Sequence, residues 1–179
     1  MIKVSEVKTA NPENYKTDLQ KQVYENLNAL EIPFERVDNE PAVTMDDCVA
    51  IDERLNVKTV KTLLLCNRQK TAFYLFITAG DKPFVTKDFS KALGVSRVSF
   101  APPELLFDML GVEVGATTVL SLFLDSQNDI RLVIDNDIMS YEYFGCTDST
   151  TTGYMRIKLS DLIEKYIPFT NHIPTCIEV

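Results

Sequence analysis

The sequence predicts a mixed α/β fold in which helices pack around a mixed or mainly antiparallel sheet. Segments whose apolar residues recur at helical spacing alternate with short runs rich in β-branched and aromatic residues. Several of these runs are separated only by short polar turns, and strands connected in this way pair antiparallel. No internal repeat, low-complexity tract or convincing linker interrupts the pattern, which favours a single domain over residues 1–179.

The first helix is predicted to begin after Thr17. Thr17 and Gln20 have capping-box spacing, and apolar residues recur at helical spacing from Leu19 to Leu30. We expect this helix to end near Pro33, because proline inside a helix removes a backbone hydrogen bond.

Four further helices are predicted from their end signals. Thr86 opens a short helix that Gly94 closes, and Pro103 opens another that Gly111 closes. Proline in the first turn and glycine just after the last turn is the asymmetry typical of helix ends. The remaining two helices begin at polar capping residues, at positions 44–47 and 160–161.

Runs rich in apolar and β-branched residues predict the strands. They lie at residues 34–37, 60–66, 72–78, 117–124, 130–134 and 154–158. A polar hairpin should join the second and third of these strands, and a polar turn the fourth and fifth.

Composition and charge narrow the functional classes. Apolar residues make up 45% and charged residues 25% of the chain, and no apolar run approaches the ~20 residues needed to cross a bilayer. The net charge of −8 disfavours a broad nucleic-acid surface, so any such contact should be a local positive pocket for the end of a strand. The N-terminal residues lack the apolar segment of a signal peptide, so we expect a cytoplasmic protein without membrane contact.

Neither the cysteines nor the acidic residues predict a metal centre, and no cofactor is indicated. The four cysteines are scattered, so free and mostly buried thiols are the simplest interpretation, and no base lies near Cys146 in sequence to make it a nucleophile. The single histidine, His172, argues against multi-histidine zinc sites and is interpreted as a loop residue. Asp135 and Asp137 flank Asn136 like part of a calcium loop but lack its glycine and glutamate, which favours a turn.

Lys61 is the most informative residue. It interrupts the apolar run at residues 60–65 (VKTLLL), and lysine is rarely buried without a partner or a task. Further along, residues 111–118 (GVEVGATT) form a glycine-punctuated loop before another apolar run. A lysine beside a loop with exposed backbone could form a binding site for an anion or an ester. The alternative is a lysine whose stem packs along the sheet while its ammonium reaches water.

Five short segments follow one another in a specific order and at specific spacings. They are residues 41–44 (PAVT), 60–65 (VKTLLL), 79–82 (AGDK), 93–101 (LGVSRVSFA) and 110–118 (LGVEVGATT). Each is weak alone, but together they resemble the YbaK/ProX family of aminoacyl-tRNA editing domains, in particular its free-standing prolyl-tRNA editing branch. The resemblance extends over roughly residues 17–168.

The resemblance implies a curved, barrel-like sheet flanked by helices, and hydrolysis in trans of a wrongly esterified amino acid from the 3′ end of a tRNA. A small amino acid such as alanine on tRNA(Pro) is the implied substrate, because a proline pocket excludes smaller side chains by only ~1–3 kcal/mol. Lys61 would hold and orient the substrate. The backbone of Gly115, Ala116 and Thr117 would donate to the developing oxyanion. The terminal ribose hydroxyl would help to activate water, without a protein nucleophile or a cofactor.

The chain departs from the family pattern at several positions. Thr62 follows the lysine where asparagine is common, and in the late segment Thr147, Asp148 and Thr151 replace histidine, proline and asparagine. The expected substrate-binding residues are therefore polar: Thr62, Thr118, Thr147, Asp148 and Thr151. Asp148 could hold an ammonium group or a water molecule. For the late segment, a solvated loop of turn-forming residues is the alternative.

Three functional hypotheses follow. The first is a trans-acting aminoacyl-tRNA deacylase whose changed late segment alters substrate choice. The second is a binding module for an aminoacyl-tRNA 3′ end or a small acyl-nucleotide, which keeps Lys61 but has lost turnover. The third is an unrelated soluble domain whose motifs match by chance. The sequence indicates no oligomeric state.

Overall fold

The computed structural model describes residues 1–179. Its helices are α1 Asp18–Ala29, α2 Val49–Leu55, α3 Thr86–Leu93, α4 Pro103–Leu110, α5 Leu159–Asp161 and α6 Ile167–Phe169. Its strands are β1 Glu35–Asp38, β2 Val60–Asn67, β3 Phe73–Ala79, β4 Val98–Phe100, β5 Ile130–Asp135, β6 Tyr143–Thr147, β7 Gly153–Lys158 and β8 Thr175–Ile177. Two 3-10 helices, Val119–Leu124 and Asn136–Ser140, complete the chain with a π-helical stretch, Leu162–Tyr166, between α5 and α6.

The strands form two sheets. The smaller one, in the order β1-β7-β6, is antiparallel, and the larger one has the order β4-β2-β3-β5-β8. In the larger sheet β4, β2 and β3 pair antiparallel, while β3, β5 and β8 pair parallel. The mixed α/β class is therefore confirmed. The strands do not close into a single barrel, because the sheets are joined only by an isolated bridge between Thr59 and Gly145.

Local end signals correctly predicted three helices. The Thr17 hydroxyl accepts from the backbone N–H of Gln20 at 3.0 Å, and the Gln20 side chain accepts in turn from the N–H of Lys16 at 2.7 Å. Gly94 and Gly111 end α3 and α4 in the left-handed conformation, with φ of 71° and 68°.

One predicted strand was wrong, and three strands, β4, β6 and β8, were not predicted. Residues 117–124 were expected to form a strand, but Val119–Leu124 is a 3-10 helix because the Thr118 hydroxyl accepts from the N–H of Leu120 at 3.1 Å. Its first four residues, 119–122, are all buried, so the apolar run resembles that of a buried strand. Strand β6, Tyr143–Thr147, was not predicted, because Gly145 at its centre weakens the strand pattern of its neighbours.

Both sheets contribute to one core of 29 buried residues. It includes Leu27 of α1, Leu75 of β3, Leu132 of β5, Phe144 of β6 and Met155 of β7. Helix α3 covers the opposite face of the larger sheet, where the buried ring of Phe89 packs in a second, smaller cluster. Assignment of residues 1–179 to a single domain stays a prediction. None of the helices has the length and apolar content required to span a membrane.

Candidate active site

A cavity of about 420 Å³ opens where the two sheets separate. Strand β4 pairs only with the end of β2, from Leu65 to Asn67, and at the other end of β2 the bridge to β6 stops at Thr59. Between these points no strand covers that edge of β2, and residues 60–64 line the cavity. The opposite walls come from the loop 114–117, from β6 and from the turn before α2.

Lys61 lies in this cavity wall. Its side chain is partly buried, and its ammonium donates to the carbonyl oxygen of Lys82 at 2.7 Å. Lys61 forms no ion pair within the chain. An ammonium has three N–H donors, so two stay available to a ligand. The ammonium is thus oriented by a hydrogen bond, and its functional role stays a prediction.

A buried carboxylate holds the loop that orients Lys61. The ammonium of Lys82 contacts Asp135 at 2.8 Å and Asp137 at 2.9 Å, and the Thr78 hydroxyl donates to Asp135 at 2.7 Å. The hydrogen bond to Asp135 raises the pKa of Lys82. Burial alone would raise the pKa of Asp135, but hydrogen bonds from Lys82 and Thr78 outweigh it and lower that pKa. Asp135 was interpreted as part of a simple turn, so sequence reasoning missed this positioning role.

The glycine loop contributes two unpaired amides rather than three. The N–H groups of Gly115 and Thr117 make no hydrogen bond within the chain, and both residues line the cavity. The N–H of Ala116 donates to the carbonyl oxygen of Glu113 at 3.0 Å, and Ala116 is buried. Ala116 is therefore not available as an oxyanion donor, contrary to expectation. Gly115 has φ +91°, and Val43 packs directly against its Cα, so no other residue fits there without strain.

Of the five residues expected to bind substrate, two line the cavity. These are Thr62 on β2 and Thr147 at the end of β6. The Thr147 hydroxyl donates to the carbonyl oxygen of Thr150, which leaves its lone pairs as acceptors toward the cavity. Thr118 is fully buried and caps the following 3-10 helix. The Thr151 carbonyl accepts from the N–H of Ala42 at 2.9 Å, outside the cavity.

Asp148 is a buried structural carboxylate. It accepts from the Gln20 amide at 2.8 Å, the Tyr24 hydroxyl at 2.9 Å and the Thr150 hydroxyl at 2.7 Å. It lies so close over Gly153 that a Cβ on that residue would be 2.1 Å from its Oδ2. Burial, followed by the charge of Asp148, raises the pKa of Tyr24. The expected contact between Asp148 and a substrate ammonium is wrong, because other residues already occupy the carboxylate.

The thiols near the cavity are not ionised at neutral pH. Burial raises the pKa of Cys48 to about 11 and that of Cys146 to about 12. The histidine lies elsewhere, with Nε2 2.8 Å from Asp125 and Nδ1 2.7 Å from the carbonyl oxygen of Thr170. His172 is buried in a structural pair, and no cluster of three or more His, Cys, Asp or Glu side chains has metal-binding geometry.

Sequence reasoning also missed the apolar mouth of the cavity. Val43, Phe100 and Val114 line it while staying 54%, 58% and 57% exposed. They come from three separate segments, so no local pattern indicated that they would meet.

A family model described as aminoacyl-tRNA editing domain matches residues 39–165. The chain is 26% identical over 159 residues to prolyl-tRNA synthetase associated domain-containing protein 1 of Danio rerio, covering 88% of this chain and 85% of the relative. It is 21% identical over 162 residues to the prolyl-tRNA editing protein ProX of Acetoanaerobium sticklandii, and the match covers 90% of this chain and 98% of the relative. A crystal structure of a candidate trans-editing enzyme for prolyl tRNA synthetase shares the fold, with a TM-score of 0.66 at 15% sequence identity. The match covers 92% of this chain and 99% of that one.

Proposed function

This chain belongs to the aminoacyl-tRNA editing domain family, and from that premise we propose that it hydrolyses mischarged aminoacyl-tRNA in trans. The observation that carries the proposal is the cavity itself. It brings Lys61 together with Gly115 and Thr117, the two loop residues whose backbone amides are unpaired, in the lining of one cavity. An aminoacyl ester presents the matching groups, namely a carbonyl oxygen that gains charge during hydrolysis and polar groups at its ribose end.

The residues divide the reaction between positioning and charge stabilisation. Lys61 holds the ribose end of the ester, and the two loop amides donate hydrogen bonds to the carbonyl oxygen on which negative charge develops. Water attacks the carbonyl carbon, the bond from that carbon to the ribose oxygen breaks, and the ribose oxygen takes up the proton that the water loses. The neighbouring ribose hydroxyl assists the water. The protonated thiols of Cys48 and Cys146 support a route without a covalent enzyme intermediate.

A small amino acid on tRNA(Pro) is the proposed substrate. The relatives named above are prolyl-tRNA editing or prolyl-tRNA synthetase associated proteins. The Thr147 hydroxyl supports acceptance of a polar side chain beside alanine, because a positioned hydrogen-bond partner discriminates more strongly than an apolar wall.

Labelled alanyl-, seryl-, threonyl- and cysteinyl-tRNA(Pro) incubated with the purified protein test the proposal. Time-dependent release of at least one free amino acid is expected. Retention of the ester with protection from spontaneous hydrolysis would instead identify a binding module.

The binding module is the second candidate because Thr147 stands in the cavity where the family has histidine. Under this alternative, Thr147→His should raise deacylation from background. Thr151→Asn is the matched control, since Thr151 also departs from the family pattern but lies outside the cavity. A parent that is fast on alanyl-tRNA and unaffected by Thr147→His would exclude control of function by this position.

A further inference from the structure

The wall of the cavity contains a cation but no carboxylate. Of its 19 lining residues 12 are hydrophobic, and Lys61 is the only one with a charged side chain. The other titratable groups in the lining are Cys48, Cys146 and Tyr154, and burial raises the pKa of all three, so they are neutral near pH 7. An aminoacyl ester, in contrast, carries an α-amine, and a free α-amino group is a cation below a pKa of about 7.7–8.0.

The carboxylates bonded to lining residues are already occupied. Asp47 accepts from the backbone N–H of Thr44 at 3.0 Å and from its hydroxyl at 2.9 Å. Asp52 accepts from the backbone N–H of Thr59 at 3.0 Å. Asp148 does not line the cavity and is held by the side chains of α1 described above. An ammonium group in the cavity would therefore meet no anion in its wall.

The uncovered edge of β2 supplies a neutral acceptor instead. The N–H of Asn67 donates to Ala72 on the β3 side at 3.1 Å, whereas the carbonyl oxygen of Leu64 accepts from Ala101 on the β4 side at 2.9 Å. Backbone groups alternate between the two edges of a strand, so the N–H and C=O of Thr62 lie on the same edge as those of Leu64. No strand pairs with Thr62 at that edge, and its carbonyl oxygen is an unpaired acceptor beside the cavity.

These acceptors favour an uncharged donor. A buried ammonium without an anion has a large desolvation cost, and the only charge in the lining is also positive. A neutral amine or a hydroxyl donates to a carbonyl oxygen without that cost. An amine with a pKa of about 8 is neutral in roughly one molecule in ten at pH 7, so deprotonation weakens binding only about tenfold.

We propose that the cavity binds the acyl group in an uncharged form, with its amine or hydroxyl donating to the Thr62 carbonyl oxygen. The substrates are then aminoacyl esters whose α-amine is neutral, and also α-hydroxyacyl esters, in which a hydroxyl replaces the amine. Hydrolysis of an α-hydroxyacyl ester consumes one water and releases the hydroxy acid and the ribose hydroxyl. This inference rests on the proposed function, because it places the ester carbonyl at the amides of Gly115 and Thr117.

Alanyl-tRNA(Pro) and lactyl-tRNA(Pro) are matched probes, because lactate differs from alanine only by a hydroxyl in place of the amine. The measurement is kcat/KM for each from pH 6 to pH 8.5, after subtraction of spontaneous hydrolysis. The ratio of the alanyl to the lactyl value cancels titration of the protein itself. It should rise about tenfold from pH 6 to pH 7 and level off above the pKa of the amine.

Two results with the parent protein would overturn the proposal. One is a ratio that is independent of pH or falls as pH rises. The other is hydrolysis of alanyl-tRNA(Pro) with none of lactyl-tRNA(Pro). Either result would retain the proposed function, because an ester is still hydrolysed.

A carboxylate added to the wall should reverse the preference. Met45 is partly buried and lines the cavity in the turn before α2, so Met45→Glu introduces an anion there and Met45→Gln is the neutral control of the same shape. The alanyl to lactyl ratio at pH 6 should be roughly fivefold or more higher in Met45→Glu than in Met45→Gln, because the ammonium then has a partner. Equal ratios in the two variants would contradict the inference.

Hydrolysis of neither ester would reject the proposed function, and binding then decides the inference. The probes are the non-hydrolysable amides that 3′-amino-3′-deoxyadenosine forms with alanine and with lactate. Their ratio of affinities should show the same rise with pH. A constant ratio, a ratio that falls as pH rises, or binding of neither amide would overturn the preference for an uncharged acyl group.

Discussion

At the scale of single residues, Lys61 depends on one hydrogen bond for its orientation. The Lys82 carbonyl oxygen accepts from one of the three ammonium N–H groups and leaves the other two unpaired within the chain. A charged donor of this kind contributes about 1.5–3 kcal/mol to the interaction it makes.

Lys61→Ala should therefore lower deacylation by roughly 10-fold to 150-fold, the equivalent of losing one charge-assisted hydrogen bond to the substrate. Thermal unfolding should change little, because removing a partly buried cation also removes its desolvation cost. Lys58→Ala, an exposed lysine three positions earlier, should change neither quantity. Unchanged activity with a marked fall in Tm would show that Lys61 is structural.

Gly115 offers a second residue-scale prediction. Gly115→Ala should lower the free energy of unfolding by about 1–3 kcal/mol and impair hydrolysis, because φ is +91° and the new Cβ would be 2.9 Å from a Val43 methyl group. Gly94→Ala is the matched control, since Gly94 also has positive φ but no atom within 4 Å of the new Cβ.

The control should lose stability from backbone strain alone and keep its activity. Equal losses of stability in the two variants, with full activity in both, would contradict a tight contact at the cavity wall.

At the scale of elements, the turn between β6 and β7 is joined to α1 through Asp148. The carboxylate accepts from Gln20 and Tyr24 of α1 and from Thr150 within the turn. It therefore links one helix to the sheet that carries Thr147 into the cavity.

Asp148→Asn should lower the free energy of unfolding by about 1–3 kcal/mol, because an amide NH2 would face donors that the carboxylate now satisfies. Chemical denaturation measures the change, with the exposed Asp108→Asn as control, for which less than ~0.5 kcal/mol is expected. Loss of hydrolysis at unchanged stability would mean that Asp148 contacts the substrate after all.

At the scale of the whole molecule, acid should destabilise the protein through buried carboxylates whose pKa is lowered. Asp135 is such a group, because hydrogen bonds from Lys82 and Thr78 more than offset the effect of burial. A lowered folded-state pKa means that its stabilising contribution is present above the unfolded value of about 3.9 and is lost as pH falls through the folded-state pKa.

Asp135→Asn should accordingly be less stable than the parent at pH 7, and the two free energies of unfolding should converge below about pH 4. Denaturant titrations of both proteins at pH 7, 5, 4 and 3 give this difference directly. Protonation of the other carboxylates affects both proteins equally and cancels in the difference. A gap that stays constant over this range would show that ionisation of Asp135 does not stabilise the fold.

The sequence determined features that depend on a few neighbouring residues. The capping of α1 by Thr17, the glycine ends of α3 and α4, and the placement of Lys61 on an apolar strand all follow from interactions within about one helical turn or from strand alternation. The ordered motifs were also sufficient to identify the family.

Only the tertiary structure decided which of these residues meet and which polar groups stay unpaired. Asp148 lies 128 positions from Gln20 in sequence, so no local pattern predicted that its carboxylate is already occupied. The 3-10 helix at Val119–Leu124 and the gap between the two sheets are likewise set by packing and strand pairing between distant segments. Local propensity does not encode these long-range partners. For that reason the cavity, its two unpaired amides and its apolar mouth could be identified only from the tertiary structure.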